Sequence, residues 1–345
     1  MRVHGLWLIP LACAALAAPA AAGGGGVRPA DGARAQPEQA GGGGVRPADG
    51  ARAQPEQSGG GGVRPADGAR AQPEQADDLP AIRARGVLRH LGVPYASFVT
   101  GGGDGFDVEL VRRFADWLGV RYEFVETSWA QALSDLTGRR ISPASPRLED
   151  AAPAPVRGDV LACGVTILPW RERVAAFSTP VFPTQVWLVA RAGSSLAPIV
   201  PSGSLHADIE AVRALLRGRM VIGVPGTCLD PSLYALGRTR IRYLHRDARL
   251  DEVAPMLIQG DAELALLDVA DAMLALQKFP GALKVIGPVS ERQRMGVAFR
   301  RGAPQLRAAF EAFLAEIRRD GTYDRLVAAY FPEAPVVFPD FFGKG

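Results

Sequence analysis

The sequence predicts an α/β fold that is built as two lobes. From about residue 80 onward, segments with a strand pattern alternate with segments of helical spacing, an alternation that is typical of α/β folds. The alternation starts again near residue 220. The chain has 345 residues, and the part that follows its low-complexity start is long enough for two units of ordinary size.

The first 22 residues have the features of a secretory signal peptide. A short basic start precedes an apolar run from Leu6 to Ala18, and Ala20 to Ala22 form a small-residue cleavage site. Cys13 could suggest a lipoprotein signal, but Pro10 stands where such a signal prefers leucine. We therefore expect export, with lipidation as the less favoured alternative.

Residues 23–76 are three copies of one Gly/Pro-rich unit of 18 residues. The block is neutral, and its only large apolar side chains are Val27, Val45 and Val63. Such a segment cannot bury enough surface to offset the entropy of ordering. It is predicted to be a disordered tether.

The first α/β unit is predicted between residues 87 and 165. Its elements are three strands over 87–91, 120–125 and 160–165, and two helices over 106–118 and 129–136. Gly119 is suited to end the first of these helices. Residues 139–157 are rich in Pro, Ala and Ser and are predicted to be a surface insertion.

The second unit is predicted to follow the same plan. Strands are expected over 220–224, 264–267 and 282–286, and helices after Asp230-Pro231 and over 269–276. Two further helices are predicted over 306–317 and 323–331. Asp230 offers an N-cap side chain, and a proline suits the first position of a helix. The βαβαβ order of the first unit predicts an α/β fold with a largely parallel sheet.

Composition excludes several classes of function. The net charge is only +3, with arginines interspersed among acids, so a nucleic-acid partner is not expected. The histidines are scattered, which argues against a zinc site. No GxSxG motif supports a hydrolase triad, and no apolar run is long and uncharged enough for a spanning helix. No cofactor is expected. Cys163 and Cys228 could be paired or free.

Four stretches carry a resemblance to a known family. They are Gly105–Leu110 (GFDVEL), a segment from Gly158 with Thr166, Arg171 and Ser178 at fixed spacing, the Gly226-Thr227 turn, and Asp320–Tyr323 (DGTY). In this order they resemble the bacterial extracellular solute-binding proteins of family 3, the receptors of polar amino-acid ABC importers. The resemblance covers about residues 80–332.

The resemblance implies a type II periplasmic-binding-protein fold, in which two α/β lobes enclose a ligand cleft and are joined by two hinge crossings. The crossings would lie near 181–185 and 287–293. Lobe 1 would then comprise 78–182 plus 292–335, and lobe 2 would comprise 186–289.

The implied function is a monomeric, non-enzymatic periplasmic receptor that delivers an amino acid or related carboxylate to a membrane permease. A sensory or accessory receptor is the alternative. A cyclohexadienyl-dehydratase-like enzyme is a third reading, with Glu126 or Asp268 as the only nameable general acids.

The resemblance also implies the site residues. Arg171 would grip a ligand carboxylate through its planar fork, with help from Thr166 and from the N–H groups of Gly226 and Thr227. Asp268 would accept from the α-ammonium and could also cap the following helix.

Aromatic side chains would complete the implied site. Trp129 is expected to stack on the ligand, with core packing as the alternative, and Tyr95 with Phe98 is expected either as the opposite wall or as core. Trp170 and Trp187 are assigned to structure. The sequence departs from the family pattern at Pro225 and Cys228 and has no clear acid in the first-strand loop, so side-chain specificity does not follow.

Overall fold

The computed structural model describes residues 78–143, 146–236, 239–243 and 249–343, all within one unit of the chain. The predicted signal peptide, the predicted repeat tether and His245 lie outside the described residues. No helix in the described ranges is long and apolar enough to cross a membrane.

The elements alternate along the chain as the sequence predicts. The strands are β1 (Val87–Gly92), β2 (Arg121–Glu126), β3 (Val160–Leu161), β4 (Ala176–Phe177), β5 (Phe182–Thr184), β6 (Val186–Arg191), β7 (Met220–Gly223), β8 (Arg240–Tyr243), β9 (Leu264–Asp268), β10 (Leu283–Pro288), β11 (Gln293–Met295) and β12 (Ala298–Phe299). The helices are α1 (Leu79–Arg85), α2 (Phe106–Leu118), α3 (Ala132–Thr137), α4 (Pro169–Glu172), α5 (Leu205–Leu215), α6 (Val253–Gln259), α7 (Val269–Lys278), α8 (Pro304–Arg319), α9 (Thr322–Tyr330), α10 (Ala334–Val337) and α11 (Pro339–Phe342).

Two five-stranded sheets define the two lobes. The first lobe contains the sheet β2-β1-β3-β12-β4, and the second lobe contains the sheet β10-β6-β9-β7-β8. Both sheets are mixed, so the expectation of a largely parallel sheet is wrong. The antiparallel pairs come from strands that enter or leave a lobe: β12 runs against β3 and β4, and β6 runs against β9 and β10.

A separate pair of antiparallel strands joins the lobes. In this pair β5 lies against β11, with Phe182 opposite Met295 and Thr184 opposite Gln293. Beside the pair, the Gln185 amide donates to the Ser290 carbonyl at 2.8 Å. The predicted two-lobed architecture with two crossings is thereby confirmed.

Helix α2 shows how the first lobe is held together. Its apolar residues recur at helical spacing and bury Phe106, Leu110 and Phe114 completely. Each such side chain contributes roughly 1.5–3 kcal/mol on burial. The helix ends at Gly119, whose φ of 72° is the left-handed conformation predicted for this position.

Aromatic packing extends this core to the C-terminus. Phe98, Phe106 and Phe182 surround Phe331, with ring centroids 4.6 to 6.0 Å from it. The ring of Phe342 lies 5.8 Å from that of Phe182. The packed body therefore continues beyond residue 335, where the sequence analysis ended the first lobe.

Two predicted elements are shorter than expected. The strand predicted over 160–165 ends at Leu161, because Gly164 turns the chain at a φ of +67°. The helix predicted after Asp230 is a single 3-10 turn, Pro231–Leu233. Ten further elements within the described ranges were not predicted from the sequence: α1, α4, α5, α6, α10, α11, β4, β6, β8 and β12.

Candidate functional site

The predicted site residues lie where strands of the two lobes end. Loops that follow β1, β2 and β3 carry the first-lobe residues, and these strands are parallel. Strands β7 and β9, also parallel, end at the second-lobe residues. The carboxyl ends of parallel strands meet at one edge of a sheet, which is the usual position of a binding crevice in α/β proteins. The residues are Tyr95, Trp129, Thr166, Arg171, Gly226, Thr227 and Asp268.

Arg171 is a buried cation without an acidic partner in the described ranges. It lies in α4, whose first residue is a proline, and it is 3% exposed. One guanidinium nitrogen donates to the Thr166 carbonyl at 2.9 Å, and the other donates to the Gly226 carbonyl of the second lobe at 3.4 Å. Burial lowers the pKa of Arg171, but a guanidinium keeps its proton in proteins.

Two tryptophans flank this guanidinium. Its carbon lies 5.7 Å from the ring centre of Trp129 and 5.3 Å from that of Trp170. Both rings line a cavity of about 30 Å³ together with Pro143 and Gly226. Trp170 therefore belongs to the site region, whereas the sequence analysis assigned it to structure alone.

Pro143 brings the predicted surface insertion into the site. Its ring lies 3.0 Å from the position that a Cβ would take on Gly226. The insertion thus covers part of the second lobe, which its polar, Pro-rich composition did not reveal. By contrast, Trp187 is structural as expected, since it is buried and its indole N–H donates to Gln185 at 3.0 Å.

Asp268 is fully buried at the point where β9 passes into α7. Its Oδ1 accepts from the Ala270 N–H at 3.1 Å, which is the N-cap bond that the sequence predicts. Its Oδ2 lies 3.8 Å from the Cys228 sulfur. Burial raises the pKa of Asp268 to about 6. Cys163 and Cys228 are both buried and free.

Asp271 is a site residue that the sequence analysis missed. It follows Asp268 by three residues on α7, and it is buried. Burial, followed by the charge of Asp268, raises its pKa well above the ordinary value. An acid three residues after an N-cap residue, which is the spacing of a capping box, is the signal that could have found it.

Tyr95 faces this pair of acids. Burial, followed by the charges of Asp268 and Asp271, raises its pKa. Its ring stacks on Phe98 and meets Trp129 edge-on, each at 5.7 Å between centroids. Phe98 is a core residue rather than a wall, because it is completely buried among Phe106, Phe182 and Phe331.

Several buried polar atoms around these residues have no hydrogen-bond partner within the described ranges. Buried polar atoms are normally bonded, so a group of them marks a place that is shaped for a polar ligand. The Thr184 hydroxyl, for example, lies near Asp268 without completing a hydrogen bond. The atoms are the hydroxyls of Tyr95, Thr166 and Thr184, the indole nitrogen of Trp129, Oδ2 of Asp271 and Oε1 of Gln293. We call Tyr95, Thr166, Arg171, Thr184, Asp268 and Asp271 the cleft cluster.

The Gly226-Thr227 turn differs from its predicted form. The Gly226 N–H donates to Asp230 at 3.0 Å, and the Thr227 N–H faces the Val224 carbonyl at 3.4 Å. The Thr227 hydroxyl also donates to the Val224 carbonyl, at 2.8 Å. No α-helix begins here, so the expected anion position at a helix N-terminus is wrong. A ligand contact by either residue stays a prediction.

Asp107 fixes the loop that carries Thr166. It stands in the first turn of α2, and its Oδ2 accepts from the Gly164 N–H at 2.6 Å. Burial raises the pKa of Asp107 to about 7. The Gly105–Leu110 motif therefore acts on the site indirectly, by holding the loop that carries Thr166.

The fold and the cleft cluster define a two-lobed solute-binding protein. A model of the bacterial extracellular solute-binding proteins, family 3, matches residues 151–333, and the chain belongs to this family. It is 27% identical over 231 residues to the L-cystine-binding protein TcyJ of Escherichia coli K12. The match covers 66% of this chain and 74% of that protein.

Further relatives show a second context for the same domain. The chain is 25% identical over 230 residues to the membrane-bound lytic murein transglycosylase F of Desulfosudis oleivorans, covering 66% of this chain. It spans only 44% of that enzyme's length. Among solved structures, holo ArgBP from T. maritima is 25% identical with a TM-score of 0.55, and the match covers 73% of this chain and 99% of that one.

Proposed function

We propose that the protein is a periplasmic receptor that binds an amino acid or a related small carboxylate between its lobes, without chemical turnover. The observation that carries the proposal is the state of Arg171. It is a buried cation on the first lobe with no ion pair in the described ranges, in a cluster that also holds the buried Asp268 of the second lobe. A buried charge is unfavourable unless it is compensated. A ligand carboxylate would compensate Arg171, and a ligand ammonium would compensate Asp268.

Such a ligand would couple the lobes. Arg171 lies in α4 of the first lobe and Asp268 ends β9 of the second, so one small molecule that contacts both favours the closed form over any open form. We place the lobes at 78–182 with 292–335 and at 186–289, and the packing of Phe342 on Phe182 extends the first lobe beyond its predicted end. The pairing of β5 with β11 between the two sheets supports these boundaries.

The relatives support the class of ligand. TcyJ is named for cystine, and another relative of Escherichia coli K12, 23% identical, is named for lysine, arginine and ornithine. Each of these ligands carries the α-carboxylate and α-ammonium that the cleft cluster would hold.

A thermal-shift screen of amino acids and small organic acids tests the proposal. At least one amino acid is expected to raise the Tm of the wild type, because a ligand that binds only the folded state stabilises it. Arg171→Met should weaken that ligand by about 100-fold or more, since a charged bonding partner is lost.

The matched control is Arg121→Met. Arg121 is an exposed arginine of the same lobe, paired with Glu123, and its replacement should leave the ligand shift intact. An Arg171→Met protein that keeps the full ligand shift would refute the carboxylate role.

Delivery to an ABC permease is the second half of the proposal, and the match to transglycosylase F favours an accessory role as the alternative. Cells that lack the protein should take up the identified ligand more slowly if it serves a permease. Unchanged uptake would favour the accessory role. Incubation with cyclic dicarboxylic acids should leave them unconverted, and turnover would contradict the non-enzymatic reading.

A further inference from the structure

The second lobe offers two buried carboxylates to the cleft, whereas a simple amino acid has one ammonium. Asp268 and Asp271 stand three residues apart at the start of α7, and both are buried. Oδ2 of Asp271 and the nearby Tyr95 hydroxyl make no hydrogen bond of ordinary geometry among the described residues, although the hydroxyl is close enough to favour the ionised form of Asp271 and so to act against the rise of its pKa.

A capping role does not account for Asp271. An acid at the third helical position often returns a hydrogen bond to the cap residue. The cap bond of α7 is made by Asp268 to the Ala270 N–H, and no described backbone N–H donates to Asp271. Its carboxylate is therefore left for a partner that is not part of the helix.

The charges of the cluster indicate what that partner is. Arg171 contributes one positive charge, and Asp268 and Asp271 contribute two negative charges when ionised. A zwitterionic amino acid with a neutral side chain would pair with Arg171 and Asp268, and Asp271 would then have to stay protonated, as its raised pKa allows; an ionised Asp271 requires a second cation. Buried charges without partners are strongly unfavourable.

We propose that Asp271, together with Tyr95, forms a second cation-binding position beside Asp268, so that the cleft selects an α-amino acid whose side chain carries a positive charge. This inference rests on the proposed function and narrows its ligand class. Asp268 is the N-cap of α7 and Asp271 is its third helical residue, so both carboxylates stand at the same end of this helix. The two cationic groups of the ligand would therefore lie on its second-lobe side, and its carboxylate would face Arg171.

One further acid faces Asp271 from a neighbouring segment. Asp251 lies in the 3-10 turn Leu250–Glu252 and adds to the negative potential at Asp271. It is exposed and paired with Arg249 at 2.9 Å. Because solvent and Arg249 already compensate Asp251, it serves as the matched control.

Calorimetric titration of the full chain with matched ligand pairs tests the inference. The pairs are 2,4-diaminobutyrate with 2-aminobutyrate, ornithine with norvaline, lysine with norleucine, and arginine with citrulline. In the wild type, the best cationic ligand should bind at least about 10-fold more tightly than its neutral match, as expected for a charged hydrogen bond. Asp271→Asn should reduce this preference to about 3-fold or less, whereas Asp251→Asn should preserve it.

The outcomes separate the inference from the proposed function. If neutral amino acids bind the wild type as tightly as their cationic matches, and Arg171→Met abolishes that binding, the receptor stands and the second cation position is wrong. That comparison needs no variant at Asp271. A preference that survives in a folded Asp271→Asn protein also overturns the inference. If no amino acid binds at all, the proposed function fails first.

Discussion

The buried acid Asp159 of the first lobe and the buried acid Asp271 of the second lobe differ in how their charges are compensated. Asp159 is completely buried, and three arginines surround it: Arg85 at 2.7 Å, Arg89 at 2.8 Å and Arg300 at 3.6 Å. In the cleft cluster, Asp271 has no cationic partner in the described ranges, although Arg171 is buried nearby without an acid. The first arrangement is complete within the protein, and the second becomes complete only with a ligand.

The two regions also respond oppositely to pH. Burial opposes ionisation of Asp159, but hydrogen bonds and charges from Arg89 and Arg85 outweigh it and lower its pKa. Its stabilising contribution is present above about pH 4 and is lost as the pH falls. Burial raises the pKa of Asp107, Asp268 and Asp271. The ligand-free protein therefore loses stability as the pH rises from about 4 through 6 to 7.

Replacement of Asp159 removes the acid that compensates the charges of Arg85, Arg89 and Arg300. Asp159→Asn should destabilise the protein by about 4 kcal/mol at pH 7, because removal of one partner leaves charges of the other sign uncompensated. The deficit should begin to shrink as the pH falls below about 4, because the unfolded carboxylate then takes up a proton that the folded one, with its lowered pKa, takes up only at lower pH. Urea denaturation at pH 7 and at pH 3.5 measures both quantities, and an equal deficit at the two pH values would contradict the ionic explanation.

Replacement of Gly164 tests the backbone that shapes the cleft. A Cβ at Gly164 would lie 2.6 Å from the Phe98 ring and 2.8 Å from the Tyr95 ring, at a φ of +67°. Gly164→Ala should therefore destabilise by about 3 kcal/mol, which combines left-handed strain with overpacking.

Gly203→Ala is the matched control for this change. Gly203 has a φ of +87° with open space around its Cβ position, so only backbone strain of about 1 kcal/mol applies. Equal losses in the two variants, read from thermal denaturation, would show that the aromatic contacts do not constrain Gly164.

Neutralisation of Asp271 should stabilise the ligand-free protein, whereas replacement of Asp159 should destabilise it. Without ligand, Asp271→Asn should be more stable than the wild type by about 1 kcal/mol at pH 8, because an unpaired buried carboxylate is removed. At pH 4 the two proteins should be nearly equal, since Asp271 is then protonated in the wild type. A loss of stability at pH 8 would mean that the carboxylate already has a partner in the ligand-free protein.

Most of the fold could be predicted from the sequence because its signals are local. Helix α2 shows helical spacing and a terminal glycine, and β9 is a continuous apolar run. The direction of strands within the sheets could not be predicted in this way. It depends on where the chain crosses between lobes, and β12 pairs with β3 only after it has returned from the second lobe.

In the candidate site, too, residues with local sequence signals could be predicted and those that depend on long-range contacts could not. Arg171 and Asp268 stand within motifs, and the structure brings both into one buried cluster. The contribution of Pro143 depends on a contact between distant segments, Pro143 and Gly226, which no local pattern encodes. Asp271 was visible as a second acid at helical spacing, but its importance depends on the absence of a bonding partner, which is a property of the folded protein.

The central claim is that a ligand completes the charges of the cleft cluster. A crystal structure of the wild type with the most strongly stabilising amino acid tests it most directly. The account predicts the ligand carboxylate within about 3 Å of the Arg171 guanidinium and the α-ammonium within about 3 Å of the Asp268 carboxylate. A ligand bound elsewhere, or one whose carboxylate does not contact Arg171, would contradict it.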